Sequence, residues 1–289
     1  MNGGGDPWGA GSGGASSADQ SGASPPLGER DTPKPSEGIP AWREPPAALS
    51  LAIGDLHVWR ASLDLPDRST ARLASHLTPG EREGAERAIS PTLRTRRVAS
   101  RGILRALLGR YLERDPGDVE LAIGEHGRPR LAAGPAEGPI SFNLSHSGGL
   151  ALYAFARERT VGIDIENVRP TVDHQGVAAR SFSAAERAVL SALPEDERLA
   201  AFFRCWTRKE AYLKAKGGGI SLRLDGFDVS LAPGEPPALL ASRLEQEGPC
   251  RWRLIDIDAG PGCVAAVILE HCPGDPEPRL ETIDFSTAR

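Results

Sequence analysis

Apolar and polar residues alternate from Leu56 to Leu63, and this period of two, with Val58 and Trp59 inside it, predicts a first strand. Helical signals follow. Thr78-Pro79-Gly80-Glu81 places an N-cap threonine three residues before a capping-box glutamate, and a longer helix is predicted from about Pro91 to Glu113. Its apolar stripe of Leu104, Leu107, Leu108, Tyr111 and Leu112 has helical spacing. Arg97, Arg101 and Arg105 recur every fourth residue on another face, which can meet phosphate or solvent. Val119 to Ile123, Ile140 to Leu144 and Leu150 to Phe155 read as strands, separated by turns at Gly124 to Pro129 and Ser147-Gly148-Gly149.

The pattern restarts near residue 160. Val161 to Ile165 predicts a strand, Ser183 to Leu193 a helix capped by Ser183 with Glu186, and Glu197 to Lys216 a longer helix. Phe227 to Leu231, Arg251 to Ile257 and Cys263 to Leu269 are further strands. The expected fold class is α+β, with one half at 49–160 and a second at 161–272, although no sequence repeat relates them. Residues 1–48 are rich in Gly, Ser, Pro and Ala and read as a disordered leader, and 273–289 as a flexible tail. The start has no basic segment followed by an apolar run, and no stretch of about 20 apolar residues occurs, so a cytoplasmic protein outside the membrane is expected.

Composition narrows the partners. The formal charge of −5 comes from the two ends, and the segment between them is balanced, which gives no electrostatic case for nucleic acid. The run from Arg94 to Arg110 holds six arginines and no acid, which suits an anionic ligand or partner. Cys205, Cys250, Cys263 and Cys272 show no CxxC pairing and read as free thiols.

Of only four lysines, Lys209, Lys214 and Lys216 crowd into Trp206-Thr207-Arg208-Lys209-Glu210-Ala211-Tyr212-Leu213-Lys214-Ala215-Lys216. An ammonium on a flexible stem can meet a single phosphate oxygen or pass a proton, which a guanidinium does poorly. In Val161-Gly162-Ile163-Asp164-Ile165-Glu166, the two acids project to one face of a strand and Val161, Ile163 and Ile165 to the other. Such a pair either lines a solvated edge or is relieved by a divalent cation, for which magnesium has the matching preference for hard oxygen. Glu210 and Lys214 lie one helical turn apart, either as a surface ion pair or as a third metal carboxylate beside a phosphate-neutralising ammonium. Ser145 and His146, in Phe142-Asn143-Leu144-Ser145-His146-Ser147, lack nucleophile-elbow surroundings. They either cap a turn or contact phosphate. Gly127-Arg128-Pro129 is either a further phosphate contact or a solvated loop, and Gly217-Gly218-Gly219 is a helix stop.

These four motifs, in this order, make residues 56 to 270 resemble a 4′-phosphopantetheinyl transferase of the surfactin-synthetase-activating type. The resemblance implies a pseudodimer of two similar α+β halves with coenzyme A in the cleft between them. It further implies transfer of the phosphopantetheine arm to a serine of an apo acyl or peptidyl carrier protein, release of 3′,5′-ADP, and a need for Mg2+. Asp164, Glu166 and Glu210 match the metal carboxylates, Glu210 also the group that takes the serine proton, and Lys214 the contact to the transferred phosphate. Arg101, Arg128, Ser145 and His146 match coenzyme A phosphate contacts. Asn143 and Lys209 sit in the same motifs and are expected beside the ligand. Many relatives carry lysine where Arg128 stands. Gly217 to Leu222 is the expected carrier rim, and a monomer is expected. The competing readings are a non-catalytic coenzyme A or nucleotide binding module and, last, an arginine-rich nucleic-acid binder.

Overall fold

A computed structural model describes residues 41–124, 129–132, 138–217, 223–244 and 251–286. In chain order these form β1 (Asp55–Ser62), α1 (Asp67–Ser75), α2 (Pro79–Glu86), α3 (Pro91–Leu112), β2 (Leu121–Ile123), β3 (Pro129–Leu131), β4 (Ile140–Ser147) and β5 (Leu150–Arg157). There follow β6 (Val161–Asn167), α4 (His174–Ser181), α5 (Ala184–Ala192), α6 (Glu195–Lys216), β7 (Phe227–Val229), β8 (Leu239–Ser242), β9 (Trp252–Ile257), β10 (Cys263–Glu270) and β11 (Arg279–Asp284). The capping boxes expected at Thr78 and Ser183 are both closed.

Strand alternation sorts these elements into layers. A four-stranded sheet in the order β11-β1-β5-β4 faces a three-stranded sheet in the order β6-β10-β9. Their facing sides supply one core, where Leu56, Val58, Leu152 and Ala154 meet Ile163, Ile165, Ala265 and Val267. The opposite side of the first sheet buries Trp59, Tyr153 and Phe155 against Ile103, Leu104 and Leu107 of α3. That of the second buries Ala266 and Ile268 among Phe202, Phe203 and Tyr212 of α6. The expected α+β class is therefore the observed one, with a long helix over the outer face of each sheet.

Two edge strands meet where the sheets adjoin. β4 and β6 belong to different sheets and are joined by side chains: the Ile163 N–H donates to Asn143 Oδ1 at 2.8 Å, and the Asn167 N–H to Ser147 Oγ at 3.0 Å.

Two boundaries differ from expectation. The supposedly flexible 273–289 segment carries β11, which pairs in parallel with β1 from Asp55↔Arg279 to Arg60↔Asp284. Residues 41–48, expected within the leader, are ordered too: the Arg43 N–H donates to the Thr282 carbonyl at 3.1 Å, and the Asp284 N–H to the Arg43 carbonyl at 2.8 Å. β11 thus covers the edge of β1, and Arg43 in turn pairs with the far edge of β11, so that backbone groups on both edges find partners. The remaining leader, 1–40, lies outside the described residues. Cys205, Cys263 and Cys272 are free thiols as expected, and Cys250 lies outside the described residues.

Among the described glycines, the closest approach to another backbone is at Gly162. A Cβ there would fall 2.1 Å from the Ala211 carbonyl oxygen and 2.5 Å from the Ala215 nitrogen, so glycine lets α6 rest directly on β6. Gly162→Ala should therefore destabilise the protein by about 1–3 kcal/mol in urea unfolding. A loss below about 0.5 kcal/mol, the level of an ordinary surface change, would contradict this contact.

Candidate active site

The face of β6 that Gly162 turns to α6 also carries Asp164 and Glu166, because strand neighbours two apart point the same way. Helical spacing places Glu210 and Lys214 on α6 beside Ala211 and Ala215, over this acidic face. Lys214 Nζ donates to Asp164 Oδ1 at 2.6 Å and to Ser145 Oγ at 2.8 Å, and the Ser145 hydroxyl donates to Asp164 Oδ1 at 2.8 Å. Strand, helix and the opposing sheet thus contribute one residue each to a closed triangle. Asp164 is 4% exposed, and its Oδ2 is buried with no hydrogen-bond partner.

More negative charge surrounds this triangle than Lys214 neutralises. Burial, and then the charge of Asp164, push the Glu210 carboxyl up to about 7 despite the opposing pull of Lys214. Glu166 is likewise pushed up to about 7 by burial and by Asp164. It accepts a hydrogen bond from Ser147 Oγ at 3.1 Å, and the Arg169 guanidinium lies 3.7 Å from its Oε2. His146 is exposed near the end of β4. Its imidazole pKa is lowered first by desolvation from the surrounding protein and then by the charge of Lys214, with Arg97 adding to the effect.

Several sequence expectations need correction. Lys209 is fully buried on another side of α6, where its Nζ lies 2.6 Å from Glu186 Oε1 and 2.6 Å from the Phe227 carbonyl oxygen. It neutralises a buried carboxylate that also receives the Val229 N–H at 2.8 Å, so in this structure its ammonium serves the core. Asn143 is 7% exposed and spends its Oδ1 on the β6 backbone, so it joins the two sheets. Arg105, read as part of a ligand or solvent face, is 2% exposed and donates to Glu81 and to the Pro116 and Val119 carbonyls. Arg101 lies 3.6 Å from Glu81, and burial lowers its guanidinium pKa. Arg128 and 218–222 of the expected carrier rim lie outside the described residues, and Gly217 ends α6 with φ 68°.

The carboxylates suit a small hard cation by donor chemistry: all are oxygen ligands, one buried oxygen has no partner, and two carboxyls are pushed up to about 7 by burial and then by Asp164. The converged trio of Asp164, Glu166 and Glu210 is not preassembled, however. Among the described residues no three acidic, histidine or cysteine side chains are gathered as a ready cation cage. Lys214 engages Asp164 instead, and Ser147 with Arg169 engages Glu166. The sequence reading passed over Arg169 and the bridging role of Ser147. The same-face spacing of Ser147 from Ser145 was the available signal.

The fold and the seam define a class: an α+β protein in which a strand acid, a helix ammonium and a serine from a second sheet converge. Comparison narrows this class. The 4′-phosphopantetheinyl transferase superfamily profile matches residues 160–268. The chain is 41% identical over 226 residues to the 4′-phosphopantetheinyl transferase HetI of Nostoc sp., spanning 78% of this chain and 92% of that protein. It is 30% identical over 213 residues to the 4′-phosphopantetheinyl transferase Sfp of Bacillus subtilis, spanning 74% and 90% respectively. The chain belongs to the 4′-phosphopantetheinyl transferases, as its motifs suggested.

The raised Glu210 pKa sets a pH dependence. Between the ordinary 4.5 and about 7 the native state holds a proton that the unfolded chain has lost, so this group's contribution to stability falls as pH rises through that window. Without divalent metal, Glu210→Gln should gain stability relative to the parent as pH rises, by on the order of 1–3 kcal/mol above the window. Urea titrations across pH measure this. A parent–variant difference that stays flat with pH would contradict the assignment.

Proposed function

We propose that the chain transfers the 4′-phosphopantetheine arm of coenzyme A to a serine hydroxyl of an apo acyl or peptidyl carrier protein, releasing 3′,5′-ADP. Membership of the transferase family supports the reaction class. The observation that carries the assignment to this cleft is the Lys214–Asp164–Ser145 triangle, beside two carboxyls that burial pushes up to about 7. In this reading the carrier serine oxygen forms a bond to the phosphorus bearing the pantetheine, and the bond from that phosphorus to the oxygen bridging to 3′,5′-ADP breaks. Glu210, with a pKa pushed up to about 7, accepts the serine proton at a carboxylate oxygen. Lys214 directs its ammonium at the diphosphate, neutralises the leaving phosphate and can return a proton to it. Ser145 and His146 contact coenzyme A phosphates from the first sheet, with Arg101 and Arg128 as further candidates.

Asp164, Glu166 and Glu210 would hold Mg2+ once Lys214 turns from Asp164 to the ligand. When bound, the ion would supply charge neutralisation across the diphosphate. We read the molecule as a cytoplasmic monomer in which 49–160 and 161–272 form a pseudodimer, with β11 returned to the first sheet. No helix among the described residues is long and apolar enough to cross a membrane.

Incubation with coenzyme A, Mg2+ and a panel of apo carriers should add one phosphopantetheine to the carrier by mass spectrometry, and Glu210→Gln should abolish the addition. Tight coenzyme A binding without modification of any carrier would instead indicate a binding module. Lys214→Ala should lower kcat by about 10²-fold or more, with a smaller effect on coenzyme A affinity. Equal losses in the two would remove the proton-donor role.

A further inference from the structure

The two sheets are tied together at a point away from the Lys214 triangle. The Trp42 indole Nε1–H donates to the Asp258 carbonyl at 2.6 Å, and the Arg60 guanidinium carbon stands 4.3 Å from the Trp42 ring centroid. Arg60 also donates to both carboxylate oxygens of Asp284, at 2.8 and 3.0 Å, and to the Ala259 carbonyl at 3.2 Å. Arg60 and Asp284 lie on β1 and β11 of the four-stranded sheet, whereas Asp258 and Ala259 sit in the turn between β9 and β10 of the three-stranded sheet. One planar cation therefore touches both sheets and Trp42.

From that turn a continuous set of contacts reaches the acidic end of β6. The Val168 N–H donates to the Gly262 carbonyl at 2.8 Å, and Cys263 Sγ lies 3.1 Å from Asn167 Oδ1. The Asn167 N–H is held by Ser147 Oγ, which also donates to Glu166. The turn gripped by Trp42 and Arg60 thus supports the strand end that carries Glu166 against the β4 strand that carries Ser145 and His146.

We infer that Trp42 and Arg60 are positioning residues: their clamp on the Asp258–Ala259 turn sets the register of the Glu166 end of β6 against β4, and so the width of the ligand cleft. The consequence for coenzyme A rests on the proposed function, because only a ligand spanning both strands senses the spacing. The clamp itself does not.

Trp42→Ala in the full chain tests this through two readouts taken well below the melting temperature. Backbone amide exchange at Asn167 and Val168 should accelerate about tenfold, and the coenzyme A dissociation constant should rise by a similar factor, as expected for loss of a hydrogen bond and a cation–π contact. Trp42→Phe keeps a ring for Arg60 and loses only the indole donor. It should give a smaller shift in both and serves if the alanine variant does not fold. A lowered melting temperature with exchange and affinity both unchanged would reduce the clamp to a brace and overturn the inference, as would a change in only one of the two. If the parent protein binds no coenzyme A, the functional reading fails. Amide exchange then decides the clamp, and unaltered exchange at Asn167 and Val168 would still overturn it.

Discussion

Direct contact between the backbones of α6 and β6 at Gly162 is the constraint on which the site depends. A side chain at that position would meet the Ala211 carbonyl and the Ala215 nitrogen, and the helix would have to lift. With glycine there, Lys214 reaches Asp164 Oδ1 at 2.6 Å, and the helix carboxylate Glu210 is brought under the field of the strand carboxylates. The helix is held at this height by the aromatic core beneath it and by Lys209 and Arg208, which are buried and neutralised by Glu186 and Asp256. Packing on one side of α6 thus determines electrostatics on another.

Much of this was legible in the chain because period and parity are local properties. The alternation of Val161, Ile163 and Ile165 with Gly162, Asp164 and Glu166 assigned each face of β6 correctly, and two capping boxes placed the starts of α2 and α5. What was not legible depends on distant partners. Lys209 and Lys214 differ by five positions, about 140° around a helix, and only the location of Glu186 decides which of them is buried. Arg105 resembles Arg101 in spacing, but a glutamate from α2 and carbonyls beyond the end of α3 turn it inward. β11 follows a Pro- and Gly-rich stretch and gains its strand character from pairing with β1, a contact more than 200 residues away.

The electrostatics of the cleft follow from an excess of buried carboxyl over ammonium. Asp164 is satisfied at one oxygen only, and burial, followed by the charge of Asp164, pushes the Glu166 and Glu210 carboxyls up to about 7. Protonation is one way for these carboxyls to lower their energy, and the cation of the proposed site would be another. The serines and histidine at the seam come from the other sheet, so the arrangement of the two sheets bears directly on the site.

The most direct measurement is a carbon-13 NMR titration of the glutamate carboxyls, with and without saturating Mg2+. The account expects Glu210 and Glu166 to titrate near 7 in the metal-free protein and well below that in Mg2+. Ordinary titration of both groups near 4.5, unchanged by the ion, would contradict the buried, acidic surroundings of Asp164 on which the proposed transferase site rests.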